Sequence, residues 1–228
     1  MPSSHAREAG PAGGSGPGGP LVVHGRFFQD PAQFDLLVGR CLPGLDDPVV
    51  VWVAGCANGQ EAYSVAMALA AAGRQGFRIL ATDVSPEALA RTGSGRYGAR
   101  RPRGLTALDA ERYLRFRDGA WEVADALRAH VETLHHDLAA GPMPLPAGTC
   151  QVVFCREVLT GMTVDQQVSV LDRLIRWLPV GGWLFLGGAE TERGGASVFQ
   201  TVEVGDRRVY RAVRPALHVP ARAQRSAG

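Results

Sequence analysis

The residues best suited to chemistry lie in and after one tight turn. Gly55 and Gly59 follow the apolar run 49–54, Glu61 comes two positions later, and Asp83 ends the next apolar run. Glycines in such a turn let the backbone approach a bound ligand, and an acid at the end of the next strand can accept hydrogen bonds from two ribose hydroxyls. This spacing predicts a site for a cofactor that contains adenosine.

These residues also have plain structural interpretations. A glycine turn after a strand is often only a turn, and Asp83 could cap the helix expected to start at Ser85-Pro86. The neighbours His135 and His136 suggest a metal site with Asp137. Adjacent residues of a strand point to opposite faces, so at most one histidine could join Asp137, and we expect no metal site. No residue is singled out as catalytic.

Composition excludes several classes of protein. The chain has 228 residues, 46% of them hydrophobic, which is enough for one sizeable core. All 24 basic residues are arginine. A P-loop ATPase and Schiff-base chemistry both need a lysine, so both are excluded. A net charge of only +2 gives no general attraction to nucleic acid, and no nucleic-acid partner is expected.

The distribution of apolar residues and cysteines predicts the compartment. The longest apolar runs are far shorter than the roughly 20 residues of a bilayer span. The N-terminus also lacks the apolar segment of a signal peptide, so we expect a cytoplasmic protein without membrane insertion. Four cysteines without a CxxC pair predict reduced thiols.

The elements that must position the candidate residues alternate along the chain. Strands are predicted at 49–54, 77–82, 131–135, 151–155 and 183–186, with a hairpin formed by 198–204 and 208–213. Helices are predicted after Asp30-Pro31, over 61–72, from Ser85-Pro86, over 106–116 and over 164–178.

This order predicts one α/β domain. Right-handed crossovers make the first five strands a parallel, doubly wound sheet, and the closing hairpin adds antiparallel pairing. That is the Rossmann-like arrangement of S-adenosylmethionine (SAM) methyltransferases. We place the domain at 21–214 and expect disordered tails at 1–20 and 215–228, while the arginine-rich stretch 91–103 is expected to be a solvated loop.

Ligands of such a sheet bind at the carboxyl ends of its strands. There, Gly55 and Gly59 would admit the methionine part of SAM, and Glu61 would face its amino group. Asp137 would accept a hydrogen bond from the exocyclic amine of adenine, with Leu138 beside it.

Five segments, in order along the chain, carry a specific resemblance: Phe27-Phe28-Gln29-Asp30-Pro31, 54–64, 81–85, 154–159 and 181–190. They are similar to the ordered motifs of the chemotaxis receptor methyltransferases of the CheR type. The resemblance implies transfer of a methyl group from SAM to glutamate side chains of a chemoreceptor-like protein. Matching positions imply cofactor contacts at Glu61, Asp83, Asp137, Leu138, Glu157 and Val158.

The chain departs from the family pattern at several positions. The family's Arg after the paired phenylalanines is Gln29 here, and the Asn of its fourth motif is Glu157. The helical domain that usually precedes the first motif has no counterpart in the sequence. Two alternatives therefore stay open: a catalytically impaired regulatory or scaffold module, and a methyltransferase for a small molecule. The sequence does not predict the oligomeric state.

Overall fold

A computed structural model describes residues 25–142, 145–187, 199–204 and 207–213. The predicted tails, and residues 188–190 of the last motif, lie outside these described residues.

The described helices are, in chain order, α1 (Pro31–Leu36), α2 (Gln60–Ala71), α3 (Pro86–Ser94), α4 (Ala107–Tyr113), α5 (Asp125–Arg128) and α6 (Val164–Trp177). A π-helical turn (Leu37–Cys41) and a 3₁₀ turn (Leu42–Gly44) continue α1, and another 3₁₀ turn (Leu159–Gly161) precedes α6. Within the described residues, no helix has the length and apolarity to cross a bilayer.

The described strands are, in chain order, β1 (Val49–Ala54), β2 (Phe77–Asp83), β3 (Arg96–Tyr97), β4 (Leu114–Arg117), β5 (Ala120–Val123), β6 (Val131–His135), β7 (Val152–Cys155), β8 (Trp183–Leu186), β9 (Phe199–Val204) and β10 (Arg207–Ala212). Seven of them form one sheet in the order β6-β2-β1-β7-β8-β10-β9. The five strands from β6 to β8 are parallel, and β10 is antiparallel to both β8 and β9. The predicted parallel sheet with a C-terminal antiparallel hairpin is confirmed.

β1 is the central one of the five parallel strands and faces two cores. Val51 and Val53 pack with the buried side chains of α2, whereas Trp52 and Ala54 pack with those of α6. Because successive side chains of a strand point to opposite faces, both faces of the sheet are covered by helices. The sheet is doubly wound, and its loops meet at the carboxyl ends of the parallel strands.

A small antiparallel sheet in the order β3-β5-β4 departs from the sequence-based expectations. The helix predicted over 106–116 ends at Tyr113, and β4 follows at once. Asp118 (φ +47°) and Gly119 (φ +72°) join β4 to β5, and two positive φ values are typical of a type I′ hairpin turn. The predicted loop 91–103 is wrong in part, since α3 runs to Ser94 and β3 follows.

Three of the described helices have a side-chain cap, at Ser85, Thr106 and Thr163, whereas the cap expected at Asp30 does not form. The Ser85 side chain accepts a hydrogen bond from the Ala88 amide, and Thr163 forms a capping box with Gln166. Asp30 occupies the cap position of α1 but makes no side-chain cap bond there, with φ of +60°.

Candidate active site

A cavity of about 510 Å³ opens at the carboxyl edge of the parallel strands. It is lined by the segments that follow β1, β2, β6 and β7, together with side chains from the segment around α1. Of the eight predicted site residues, seven line it: Gly55, Glu61, Asp83, Asp137, Leu138, Glu157 and Val158. The structure therefore brings together residues that are far apart in sequence.

Gly55 lies where β1 meets the wall of the cavity. It has a φ of +74°, and its amide donates a hydrogen bond of 2.8 Å to the Thr82 carbonyl. A Cβ added at this position would lie only 2.4 Å from Cγ2 of Val158. Both the backbone conformation and this close approach require glycine.

Gly59, the eighth predicted residue, is not among the residues that line the cavity. It is the N-cap of α2, with a φ of +84°. An added Cβ would lie 2.9 Å from Oγ1 of Thr92, and that hydroxyl donates to the Ala57 carbonyl at 3.1 Å. Gly59 lets α3 pack closely on the turn. It therefore affects the shape of the cavity indirectly, through the position of the turn.

Asp83 both braces the turn and faces the cavity. Its Oδ2 accepts a hydrogen bond from the Ala57 amide and its Oδ1 one from the Ser85 amide, each 2.9 Å. These bonds fix the carboxylate between the two loops. Each carboxylate oxygen has a further lone pair, so the group can still accept hydrogen bonds from a ligand.

Glu61 is held by an arginine from a neighbouring strand end. Nη1 of Arg156 donates to Oε1 of Glu61 at 2.7 Å, and the Arg156 side chain is 5% exposed. Nε of Arg156 is buried without a hydrogen bond. An unsatisfied buried donor beside a cavity is an observation that supports a polar ligand there.

The wall after β6 combines a polar and an apolar residue. Oδ1 of Asp137 accepts a hydrogen bond of 2.7 Å from the Ala139 amide. Leu138 is buried and packs in the same core as Trp52. A flat aromatic ligand would find an apolar surface and an acceptor side by side here.

His136 lines the cavity but was not predicted as a site residue. It is 5% exposed, and its ring meets that of Trp52 edge-on with centroids 5.9 Å apart. Neither ring nitrogen makes a well-formed hydrogen bond. Burial, and then the charge of Arg173, lower the pKa of His136, so the imidazole is neutral at pH 7.

Glu157 and Val158 form the edge after β7. Glu157 is exposed and has a φ of +60°, a conformation in which asparagine or glycine is favoured. Val158 is half-buried against Gly55.

Several residues of the cavity wall were not predicted as site residues from the sequence. Arg26 and Phe34 come from the segment around α1, and Arg91 comes from α3, where it donates to Asn58 at 3.2 Å. The paired phenylalanines before Pro31 were the sequence signal for that segment, but only packing places it beside the strand ends.

A family model described as "CheR methyltransferase, SAM binding domain" matches residues 24–207. The chain belongs to the CheR methyltransferase family. A chemotaxis protein methyltransferase, Cher2, of Pseudomonas putida is 31% identical over 200 residues, which are 82% of this chain and 72% of that protein. Chemotaxis protein methyltransferase 1 of Pseudomonas aeruginosa is 32% identical over the same shares.

Membership of the CheR family confirms three expectations from the sequence: the Rossmann-like methyltransferase fold, the enzyme class and the cofactor. The protein is a SAM-dependent methyltransferase of this family. The lining of the cavity agrees with that cofactor. The glycine turn packs against Val158 at Gly55, and hydrogen bonds hold the carboxylates of Asp83 and Glu61. Among the described residues, Nε of Arg156 is a buried donor without a partner.

Proposed function

We propose that this cytoplasmic CheR-family protein transfers the methyl group of SAM to a glutamate carboxylate of a receptor-like protein. The observation that carries the proposal is the set of fixed acids around one cavity at the strand ends, in a chain of this family. Relatives that bear the name chemotaxis protein methyltransferase support the choice of acceptor.

The cofactor would lie along the strand-end wall. Glu61 would hold its ammonium group, Asp83 its ribose hydroxyls, and Asp137 with Leu138 its adenine. The turn at Gly55 would lie along the methionine part, since its backbone lines the cavity and carries no side chain of its own. The edge formed by Glu157 and Val158 would complete this wall.

A carboxylate acceptor does not need a general base. Bound SAM supplies a methyl group made electrophilic by its sulfonium. A glutamate side chain is already ionised at neutral pH, so no proton has to be removed before transfer. The work of the protein is then to align the two groups and exclude water. Phe34, Val158 and Met162 are the apolar side chains of the cavity wall suited to that task.

The charges of the cavity support a second function. Five carboxylates line it, against three arginines. A small-molecule acceptor without negative charge would meet less repulsion in this cavity than a carboxylate would. Methylation of a small molecule is therefore the alternative that the lining favours.

The test measures where a labelled methyl group of SAM is transferred. The protein is incubated with SAM labelled on its methyl group and a lysate of the native host, and the protein and small-molecule fractions are counted separately. We expect a labelled protein band that loses its label as methanol after mild base, because carboxyl esters hydrolyse readily. An Asp83→Asn variant is the control for enzyme-dependent labelling. Label confined to small molecules would contradict the proposal and support the alternative.

A further inference from the structure

We propose that Arg26 binds the carboxylate that accepts the methyl group. This inference rests on the proposed function and assigns the acceptor side of the same cavity. It starts from an arginine whose backbone is fixed and whose charged group has no partner among the residues that the structure describes.

The position of Arg26 is fixed by its neighbours. Its backbone forms a parallel bridge with Arg103, and the next amide, that of Phe27, donates to the Arg103 carbonyl at 2.9 Å. Phe27 is fully buried, so it anchors the segment. The segment before α1 therefore presents Arg26 to the cavity from a rigid base.

The stem of Arg26 passes over a glycine that makes room for it. Gly104 has a φ of +92°, and a Cβ added there would lie 2.9 Å from Cγ of Arg26. The same Cβ would lie 1.9 Å from the Phe27 carbonyl oxygen. The chain thus leaves space under the arginine stem while its guanidinium stays exposed at the cavity.

The three arginines of the cavity differ in what they already bind. Arg156 is paired with Glu61, and Arg91 donates to Asn58. Among the described residues, no hydrogen bond or ion pair engages the Arg26 guanidinium. Of these three arginines, Arg26 is the one that gives up no described contact when it binds an incoming anion.

The acids of the cavity make such a cation necessary. The five carboxylates belong to Glu61, Asp83, Glu87, Asp137 and Glu157. An acceptor carboxylate entering among them would be repelled unless a positive charge offset theirs. A guanidinium is well suited, since it donates to a carboxylate in a fixed planar geometry.

The geometry separates acceptor and cofactor. Arg26 and Gln29 belong to the segment before α1, whereas the proposed cofactor residues lie on the strand-end wall and α2. A Cβ added at Gly25 would lie 3.4 Å from Nε2 of Gln60, which places this segment over the first turn of α2. Arg26 therefore approaches the cavity from the side that the strand ends leave open.

Arg26 binds the acceptor carboxylate during methyl transfer and takes no part in bond making. Arg26 donates to one carboxylate oxygen, and the other oxygen forms the new C–O bond to the methyl carbon. The C–S bond breaks and its electron pair stays on sulfur, so no proton moves. The ester is uncharged, so its hydrogen bond with Arg26 is weaker than that of the carboxylate. This difference favours release of the product.

The experiment separates acceptor binding from cofactor binding. Arg26→Ala and Arg26→Lys are compared with Arg100→Ala, an exposed arginine outside the cavity lining. The Kd for S-adenosylhomocysteine (SAH) is measured by titration calorimetry, and methyl transfer to a receptor cytoplasmic fragment gives KM and kcat. We expect Arg26→Ala to raise KM about tenfold or more, with the SAH Kd unchanged. Arg26→Lys should recover part of the loss.

A binding probe keeps the inference independent of any particular receptor. Glutarate is titrated into the SAH-loaded wild-type protein while the Nε–H NMR signal of Arg26, assigned from the lysine variant, is followed. A shift that saturates supports the inference even if no receptor fragment is methylated, in which case only the proposed function fails. No shift, or an Arg26→Ala variant with the wild-type KM, would overturn the inference. A loss of SAH affinity in Arg26→Ala would also overturn it, because Arg26 would then bind the cofactor.

Discussion

Arg156 at the end of β7 donates a 2.7 Å hydrogen bond to Glu61 in the first turn of α2. The pair joins α2 to the end of β7 at the cavity, and the Glu61 side chain is 19% exposed. Because both charges are largely removed from water, each relies on the other for compensation. The ion pair therefore serves the fold and the proposed cofactor site at once.

Replacing Glu61 by Gln should lower the free energy of unfolding by about 2 kcal/mol, since the Arg156 charge stays buried without a counter-charge. Urea denaturation measures this. Glu132→Gln, which removes an exposed pair with Arg78, should change stability by less than about 1 kcal/mol. The double variant Glu61→Gln/Arg156→Met should regain stability but not SAH affinity. Wild-type stability in the single variant would contradict the argument.

Asp83→Asn should weaken SAH binding by roughly 10- to 100-fold, because charge-assisted hydrogen bonds contribute about 1.5–3 kcal/mol. Asp83 accepts hydrogen bonds from two backbone N–H groups. In the variant, the NH₂ group of the Asn side chain would face one of these donors and repel it. Calorimetric titration gives the Kd directly. Asp125→Asn, on an exposed carboxylate paired with Arg128, is the matched control. A Kd within twofold of the wild type would remove Asp83 from the proposed site.

Glu157→Asn should stabilise the protein by about 0.5–1 kcal/mol. The reason is the φ of +60° at this position, which asparagine tolerates better than glutamate does. Thermal unfolding should show a rise of roughly 1–4 °C for a domain of this size. Glu157→Ala removes the same carboxylate without relieving the backbone. If both variants shifted the Tm equally, the gain would come from the lost charge instead.

His136 should make the protein less stable in mild acid. Burial lowers its pKa, so below its ordinary value of 6.5 the unfolded chain takes up a proton that the folded protein does not. Stability is therefore lost as the pH falls from 6.5 toward the folded pKa, by at most about 1.4 kcal/mol per pH unit.

The charges of Arg173, Asp137 and His135 also act on the pKa of His136. Denaturant unfolding between pH 7.5 and 5 should show a shallower loss in His136→Phe than in the wild type. His135→Gln, at the exposed neighbouring position, is the control and should change the slope less than His136→Phe does. Identical slopes in all three proteins would refute the assignment.

The cysteines should react slowly in the folded protein. All four are buried, and burial raises the pKa of Cys41, Cys56 and Cys150 to about 12. At pH 8 a thiol reagent should therefore modify the native protein far more slowly than the unfolded chain. The same shift predicts a loss of stability as the pH rises from 9 toward 12. Rapid native labelling at pH 8 would show that the thiols are accessible.

Strands with strong apolar runs could be predicted almost to the residue. β1 and β8 occupy the predicted ranges, since β-branched and aromatic runs bounded by glycine leave little choice. The helix over 106–116 failed at Tyr113, because Leu114 and Phe116 suit a helical stripe as well as a strand. The Asp118-Gly119 pair was the signal that favoured a hairpin.

The candidate site was predictable where it follows strand ends, and not where packing supplies it. Asp83 and Asp137 follow predicted strands, so topology alone brings them to one edge. His136 directly follows the predicted strand 131–135, so the same rule places it at this edge. Arg26 carries no such signal, because it reaches the cavity through a backbone bridge to Arg103 that has no sequence period.

The order of the sheet has a consequence for folding. β10 lies between β8 and β9 although it follows both along the chain. Until β10 joins the sheet, β8 has an open outer edge and β9 has no strand of the described sheet to pair with. Trp183–Leu186 is buried in the finished fold, so a chain whose β10 has not yet docked exposes an apolar edge. Aggregation during refolding should therefore start from chains in which β10 is still unpaired.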